Sequence, residues 1–182
     1  LYMCQFVDDA ASVFKFHDLE QCYTDAAHWT DFQPRNRRPF GEREVWLGYD
    51  PSRTRDNATL VVLAPPAVPG GKFRILERIQ FHGSDYEGQA KVIRDTCDRY
   101  NVAYIGIDTT GMGQGVYQIV KGFFPAATGF SYSPEVKSRL VLKAQNVISK
   151  GRLQFDAGAV DIAQSFMAIK KTLTPSGRHV TY

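Results

Sequence analysis

Two aspartates that each end a short apolar stretch are the residues of this chain best suited to chemistry. Asp50 follows Val-Trp-Leu-Gly-Tyr at 45–49, and Asp108 follows Val-Ala-Tyr-Ile-Gly-Ile at 102–107. Each stretch has the length and the β-branched and aromatic content of a buried strand, and a turn ends it. If the two strands are parallel neighbours, they lie about 4.8 Å apart. Because like charges that close raise each other's pKa, the pair predicts a divalent cation, or two, between the carboxylates.

Each aspartate alone also has an ordinary structural explanation. Asp50 with the following Pro and Ser suits a type I turn, and Asp108 suits a cap for the next helix or turn. The metal interpretation therefore depends on the two together. Asp56, in the turn after Asp50, is either an outer metal group or part of ordinary turn chemistry.

The composition predicts one globular domain. The chain has 182 residues, 43% of them hydrophobic, and a net charge of +3, so it can bury a core but its charge alone identifies no polyanionic partner. No apolar run approaches the roughly 20 residues of a membrane span, and no signal peptide is recognisable, which favours a cytosolic protein. Three cysteines without Cys-x-x-Cys and four histidines without His-Glu-x-x-His argue against the usual zinc sites.

The glycine-rich segment Gly-Met-Gly-Gln-Gly at 111–115 is not a nucleotide-binding loop of a known spacing. A dinucleotide loop requires Gly-x-Gly-x-x-Gly, and no Gly-x-x-x-x-Gly-Lys-Ser/Thr occurs in the chain. These glycines are predicted to allow tight turns beside the metal site.

The order of the predicted elements places the two aspartates on neighbouring strands. Strands at 45–50, 58–64 and 72–81 form an antiparallel meander, with a Pro-Gly-Gly turn at 69–71. A helix that begins at a capping box of Ser84 and Glu87 leads to the strand at 102–107, and such a crossover makes that strand parallel to another strand of the sheet. The later elements are predicted as a helix at 115–124, a strand at 128–132, helices at 134–150 and 160–173, and a strand at 178–182.

Three antiparallel strands followed by parallel strands, in a mixed central sheet flanked by helices, are typical of a ribonuclease H-like α/β fold. In that order the strands of Asp50 and Asp108 are adjacent. Residues 1–44 are predicted to be an appendage or linker before a compact domain at 45–182. The basic segment at 34–39 either aids solubility or contacts phosphate.

Basic residues of the helix at 134–150 are candidate contacts for a polyanion. Lys137 is predicted to project into the apolar arc of the first turn, where it either snorkels or holds a phosphate oxygen. Arg139, Lys143 and Lys150 fall on one stripe at about 100° per residue. This stripe is either a solvated face or a contact with DNA.

Three motifs resemble the C-terminal nuclease half of large terminase subunits, above all those of P2-type tailed bacteriophages. They are Gly-Tyr-Asp-Pro-Ser at 48–52, the segment from 105 to 117, and Tyr-Ser-Pro-Glu-Val-Lys at 132–137. The resemblance implies a ribonuclease H-like endonuclease that cuts concatemeric viral DNA during packaging in the host cell cytoplasm. It also implies an ATPase motor domain before residue 1. The implied partners are double-stranded viral DNA, the small terminase subunit, and the portal or procapsid, with no membrane.

By that resemblance Asp50 and Asp108 match the first two acidic metal ligands of the family. The third would lie on a helix after the last strand, beyond Tyr182, since Asp156 and Asp161 lie too early. The chain is thus expected to be truncated at its C-terminus. The expected chemistry is hydrolysis of a phosphodiester by two Mg²⁺ or Mn²⁺ ions about 3.5–4 Å apart, with Asp50 bridging the ions. Oxygen ligands favour these hard ions over zinc.

Two other function classes stay open. One is a non-catalytic DNA-binding or docking module of the packaging motor that keeps the fold without a full metal cage. The other is a phosphotransferase or ATPase of ribonuclease H-like fold, which would require an additional phosphate-binding loop that the sequence does not show.

Overall fold

The computed structural model of the protein describes residues 12–51, 58–82, 85–173 and 180–181. These form two compact units, one from the residues of 1–26 and 133–182 and the other from those of 27–132. The strands are β1 Tyr23–Thr24, β2 Glu44–Asp50, β3 Ala58–Ala64, β4 Phe73–Phe81, β5 Asn101–Asp108, β6 Thr128–Phe130, β7 Leu153–Asp156, β8 Thr172–Leu173 and β9 Val180–Thr181. The α-helices are α1 Phe16–Glu20, α2 Tyr86–Arg99, α3 Gly113–Phe123, α4 Pro134–Ser149 and α5 Val160–Met167.

The unit of residues 27–132 is built on five strands in the order β4-β3-β2-β5-β6. β3 is antiparallel to both β2 and β4, whereas β5 is parallel to both β2 and β6. Gly70, in the predicted turn between β3 and β4, has a φ of 81°, which favours glycine. The predicted meander followed by parallel strands is confirmed.

Alternation along β2 determines which residues of the strand are buried. Val45, Leu47 and Tyr49 are buried, and the hydroxyl of Tyr49 donates a hydrogen bond to Oε1 of Gln89 in α2. The face that carries Tyr49 is therefore covered by α2. Asp50 belongs to the opposite face, because successive side chains of a strand alternate.

The start of α2 differs from the predicted capping box. Asp85 is the N-cap, and its Oδ1 accepts a hydrogen bond of 2.8 Å from the backbone N–H of Gly88. Ser84 lies outside the described residues. An aspartate serves this position because its carboxylate satisfies a free N–H and favours the positive end of the helix dipole.

The predicted linker at 1–44 contains packed structure over its described part. Leu19 and Cys22 are fully buried, and β1 pairs in parallel with β7, a strand that the sequence analysis did not predict. Residues 12–26 therefore belong with the C-terminal elements. Strands of two and four residues are too short to show a period-2 pattern, which is why they were missed.

Residues 27–44 belong to the unit of residues 27–132 and pack there through a cluster of aromatic and charged side chains. Trp29, Phe32 and Phe40 are buried, and Asp31 accepts two hydrogen bonds of 2.7 Å from Arg74 of β4. The Arg74 guanidinium and a second cation, Arg43, hold the pKa of Asp31 at about 2, below its usual range. Residues 27–44 therefore pack with the strands that follow them, and the domain boundary at residue 44 stays a prediction.

The C-terminal elements also differ from the prediction. α5 ends at Met167 rather than near residue 173, and β8 pairs antiparallel with β9. No helix within the described ranges has the length and apolar content required to cross a membrane.

Candidate metal centre

The two predicted aspartates end neighbouring parallel strands. β2 and β5 are in register as far as Tyr49 with Ile107, and the next residue of each strand is Asp50 or Asp108. Because side chains alternate, both carboxylates project from the face opposite to the buried Tyr49 and Ile107. The predicted adjacency is confirmed, whereas metal binding stays a prediction.

Asp108 influences the carboxylate of Asp50 electrostatically. Asp50 keeps an exposed surface, yet the protein atoms that displace water around its carboxylate raise its pKa, and the negative charge of Asp108 raises it further. A divalent cation would offset this repulsion by favouring both charged forms. Hard carboxylate oxygens are the donors that Mg²⁺ and Mn²⁺ prefer, so the pair fits such an ion.

Asp108 is held in place by the turn that follows it. Its Oδ1 accepts a hydrogen bond of 2.7 Å from the backbone N–H of Thr110. The hydroxyl of Thr110 in turn accepts one of 3.0 Å from the backbone N–H of Tyr132. The N–H of Thr109 donates to the carbonyl of Phe130 at 2.9 Å. The turn therefore ties the orientation of Asp108 to the segment after β6.

The glycine-rich segment serves this turn and the packing of α3. Gly111 has a φ of 63°, so it makes a tight turn as predicted. Gly113 begins α3, two residues earlier than predicted, and a Cβ there would lie 1.7 Å from the carbonyl oxygen of Asp108. At Gly115 a Cβ would lie 2.7 Å from the ring of Tyr86. Close packing thus explains the second and third glycines.

Tyr132 is a site residue that the sequence analysis missed. It is half-buried, and its pKa is raised first by burial, then by the charge of Asp108, then by that of Asp50. Its phenol therefore lies near both carboxylates. One signal was present in the pattern, since residue 132 ends the strand predicted at 128–132, but only the register of Asp108 with Phe130 places it here.

The other predicted site residues lie elsewhere or outside the described ranges. Asp56 falls outside them. Arg139, Lys143 and Lys150 are exposed on α4, whose predicted start is confirmed because the Ser133 hydroxyl accepts a 3.2 Å hydrogen bond from the N–H of Val136.

Lys137 is also exposed, and its predicted contact with a phosphate oxygen stays a prediction. Ile148, near the other end of the helix, is the one buried residue of α4.

A third acidic ligand is not found in the described part of the chain, where no three His, Cys, Asp or Glu side chains cluster as a metal site would require. Asp156 accepts hydrogen bonds from the N–H groups of Ala26 at 2.9 Å and Gly158 at 2.8 Å. Its carboxylate therefore orders local backbone.

Sequence comparison gives the family of this chain. The profile of the terminase RNaseH-like domain matches residues 47–181. The chain is 56% identical to the terminase ATPase subunit of Escherichia phage P2, an alignment that covers 100% of this chain and 31% of that protein. The chain thus spans about a third of the length of this relative, and the resemblance to P2-type terminases is confirmed.

Comparison of structures gives the same fold. The large terminase nuclease from thermophilic phage G20c, solved with bound magnesium, superposes with a TM-score of 0.72 at 19% identity, covering 96% of this chain and 89% of that one. The large terminase nuclease domain of bacteriophage SPP1, solved with bound Mn, gives a TM-score of 0.51 at 13% identity over 75% of each chain. The predicted ribonuclease H-like fold is confirmed.

Proposed function

This chain belongs to the terminase RNaseH-like domain family, and on that premise we propose that it is a divalent-metal-dependent endonuclease. Its substrate is concatemeric double-stranded viral DNA, which it cuts during packaging. The observation that carries the proposal is the pair Asp50 and Asp108, level with each other at the ends of two parallel strands. Two carboxylates this close suit a bound cation better than a purely structural role, since without one their charges repel.

The residues of the site have separate roles in this proposal. Asp50, which keeps an exposed surface, and Asp108, whose carboxylate the N–H of Thr110 orients, would together hold the metal. Mg²⁺ or Mn²⁺ bound there would supply an activated water and stabilise the leaving oxygen of the phosphodiester. Burial and the charges of Asp108 and Asp50 raise the pKa of Tyr132, so its phenol stays neutral and would be able to donate a hydrogen bond to a phosphate oxygen.

The exposed bases of α4 extend the proposal to the DNA backbone. Lys137, Arg139 and Lys143 carry positive charge on one exposed helix, where they would contact phosphates without reading sequence. The relative from phage P2 is described as an ATPase subunit. We accordingly propose that the whole protein also carries an ATPase domain and works in the host cytoplasm with the small terminase subunit and the portal or procapsid.

Nuclease assays of charge-neutral variants test the function. Asp50→Asn and Asp108→Asn are each expected to lower the rate of duplex cleavage in Mg²⁺ or Mn²⁺ by about 100-fold or more, since even groups behind a metal ligand are worth 10–100-fold. Asp98→Asn, which neutralises an exposed carboxylate of α2, is the matched control and should cut normally. Cleavage that survives Asp50→Asn in Mn²⁺ would refute the assignment.

Calorimetric titration with Mn²⁺ separates the endonuclease from a docking module. An endonuclease should lose a binding site on Asp108→Ala. A non-catalytic docking module should bind duplex DNA equally before and after that change and show no site lost. An ATP-binding assay tests the phosphotransferase alternative in the same way, with no binding expected for this domain.

A further inference from the structure

The face of the sheet that carries the two acids also carries a pair of glycines. In the register of β2 and β5, Trp46 pairs with Tyr104 and Gly48 pairs with Gly106, and the two acids come two residues later. Side chains two apart share a face. Toward the C-terminal ends of β2 and β5, this face therefore presents an aromatic pair, then a glycine pair, then the acid pair.

The two glycines have different surroundings. A Cβ at Gly106 would lie 3.1 Å from the ring of Phe130 and 3.2 Å from that of Tyr104, so neighbouring rings already cover it. Gly48 is exposed, and a Cβ there would meet no atom of the described residues within 4 Å. Within that part of the chain, the surface beside Asp50 is thus bare backbone with open space above it.

Nothing in the fold requires a glycine at position 48. Its φ is not in the left-handed region, and the register shift of β2 against β5 lies at Val45 and Trp46 instead. Glycine in the interior of a strand costs conformational entropy and leaves no side chain to pack, and it often marks a place where a ligand approaches closely. Backbone conformation and packing therefore do not explain the glycine at position 48, whereas a requirement for open space beside the acids does.

We propose that Gly48 forms the floor of the channel in which the DNA strand lies next to the phosphate held at Asp50 and Asp108. The proposal rests on the proposed endonuclease function. Two residues along a strand span about 6.6 Å, which is the axial rise of roughly two nucleotides of a duplex. A DNA strand that runs along β2 from the acids therefore reaches Gly48 within about two nucleotides of the cut phosphate, and a side chain there would displace its sugar–phosphate backbone.

Substitution of Gly48 tests the channel without disturbing the acids. Gly48→Val should keep or raise the melting temperature, because the site is open and valine favours strands. Its affinity for Mn²⁺ should stay within about twofold of the original, whereas duplex cleavage should fall about 100-fold, the cost of a displacement of about 1 Å at a reacting centre. Gly48→Ala should give a smaller loss of cleavage at unchanged stability.

Gly122→Val is the matched control. Gly122 is exposed on α3, and a Cβ there also meets no atom within 4 Å, so cleavage should be unchanged. DNA affinity, measured by fluorescence anisotropy of a labelled duplex in an Asp108→Asn background, should fall with Gly48→Val and not with Gly122→Val.

The possible outcomes separate this inference from the function on which it rests. Unchanged cleavage and DNA affinity in Gly48→Val would overturn the channel, and so would loss of folding or of Mn²⁺ binding in both Gly48 variants. A protein that never cuts DNA, but whose DNA affinity falls on Gly48→Val, would support the channel while overturning the endonuclease.

Discussion

Burial raises the pKa of Asp50, and the negative charge of Asp108 on the neighbouring strand raises it further. The fold imposes this repulsion, since β2 and β5 are aligned by buried residues on their other face, Tyr49 and Ile107 among them. The acids cannot separate without breaking the register of two core strands. The sheet thus keeps two like charges close together, which is the arrangement a cation-binding site requires.

Asp50→Asn should stabilise the metal-free protein at neutral pH. The pKa of Asp50 is raised in the folded state, so its ionisation costs stability as the pH rises above the unfolded value of about 3.9. The variant should therefore melt above the original protein at pH 7 in EDTA, and the difference should vanish below about pH 4. Thermal denaturation across this range measures it, and a gap that is the same at every pH would contradict the prediction.

Mn²⁺ should reverse that order of stability. An ion present at 100 times its dissociation constant stabilises the protein that binds it by about 2.7 kcal/mol. The original protein should gain more of this stabilisation than the Asp50→Asn variant. The same melting curves recorded in Mn²⁺ test it. An equal shift for both proteins would show that the ion binds elsewhere.

Gly113→Ala should damage both the fold and the site. Its Cβ would lie 1.7 Å from the Asp108 carbonyl oxygen and 3.0 Å from Cγ of Pro51, so α3 or the turn must shift, at a cost of about 3 kcal/mol. Urea denaturation measures the loss. Gly122→Ala in the same helix is the control, because it has open space and should gain about 0.5–1 kcal/mol. Equal effects of the two changes would exclude a special role for Gly113.

Thr110→Val should weaken metal binding with a smaller effect on folding. The backbone N–H that holds Asp108 remains, but the hydroxyl that accepts from the N–H of Tyr132 is lost. We expect about a tenfold weaker affinity for Mn²⁺, as for other groups that orient a metal ligand. Thr110→Ser keeps the hydroxyl and should restore the affinity in calorimetric titration. Weak binding in both variants would point to packing instead.

The basic residues of α4 should contribute to DNA binding through charge alone. Replacement of Lys137, Arg139 and Lys143 by Gln should weaken binding to all duplex sequences alike. It should also reduce the slope of log affinity against log salt by up to about 0.9 per residue. The triple variant Lys137→Arg, Arg139→Lys and Lys143→Arg keeps the charge and should keep the slope. An unchanged slope in the Gln variant would mean that α4 does not touch DNA.

The local pattern of the sequence was sufficient for much of the fold. The alternation and apolar content of 45–50 and 102–107 predicted two buried strands that end on acids, and β2 and β5 are parallel neighbours as the crossover rule requires. The start of α4 also follows from its own residues, since Ser133 caps the N–H groups of the first turn and Pro134 suits the first helical position. Such features depend on residues near one another in the chain.

Other features depend on residues that only the folded chain brings together. Tyr132 lies near the acids because β6 pairs with β5. Residues 12–26 are packed because β1 pairs with β7, which lies more than a hundred positions later in the chain. The sequence by itself determined which segments become strands and where their acids fall, because backbone geometry and side-chain alternation act locally. The tertiary structure decided which groups surround those acids and where space is left beside them, because packing depends on the whole chain at once.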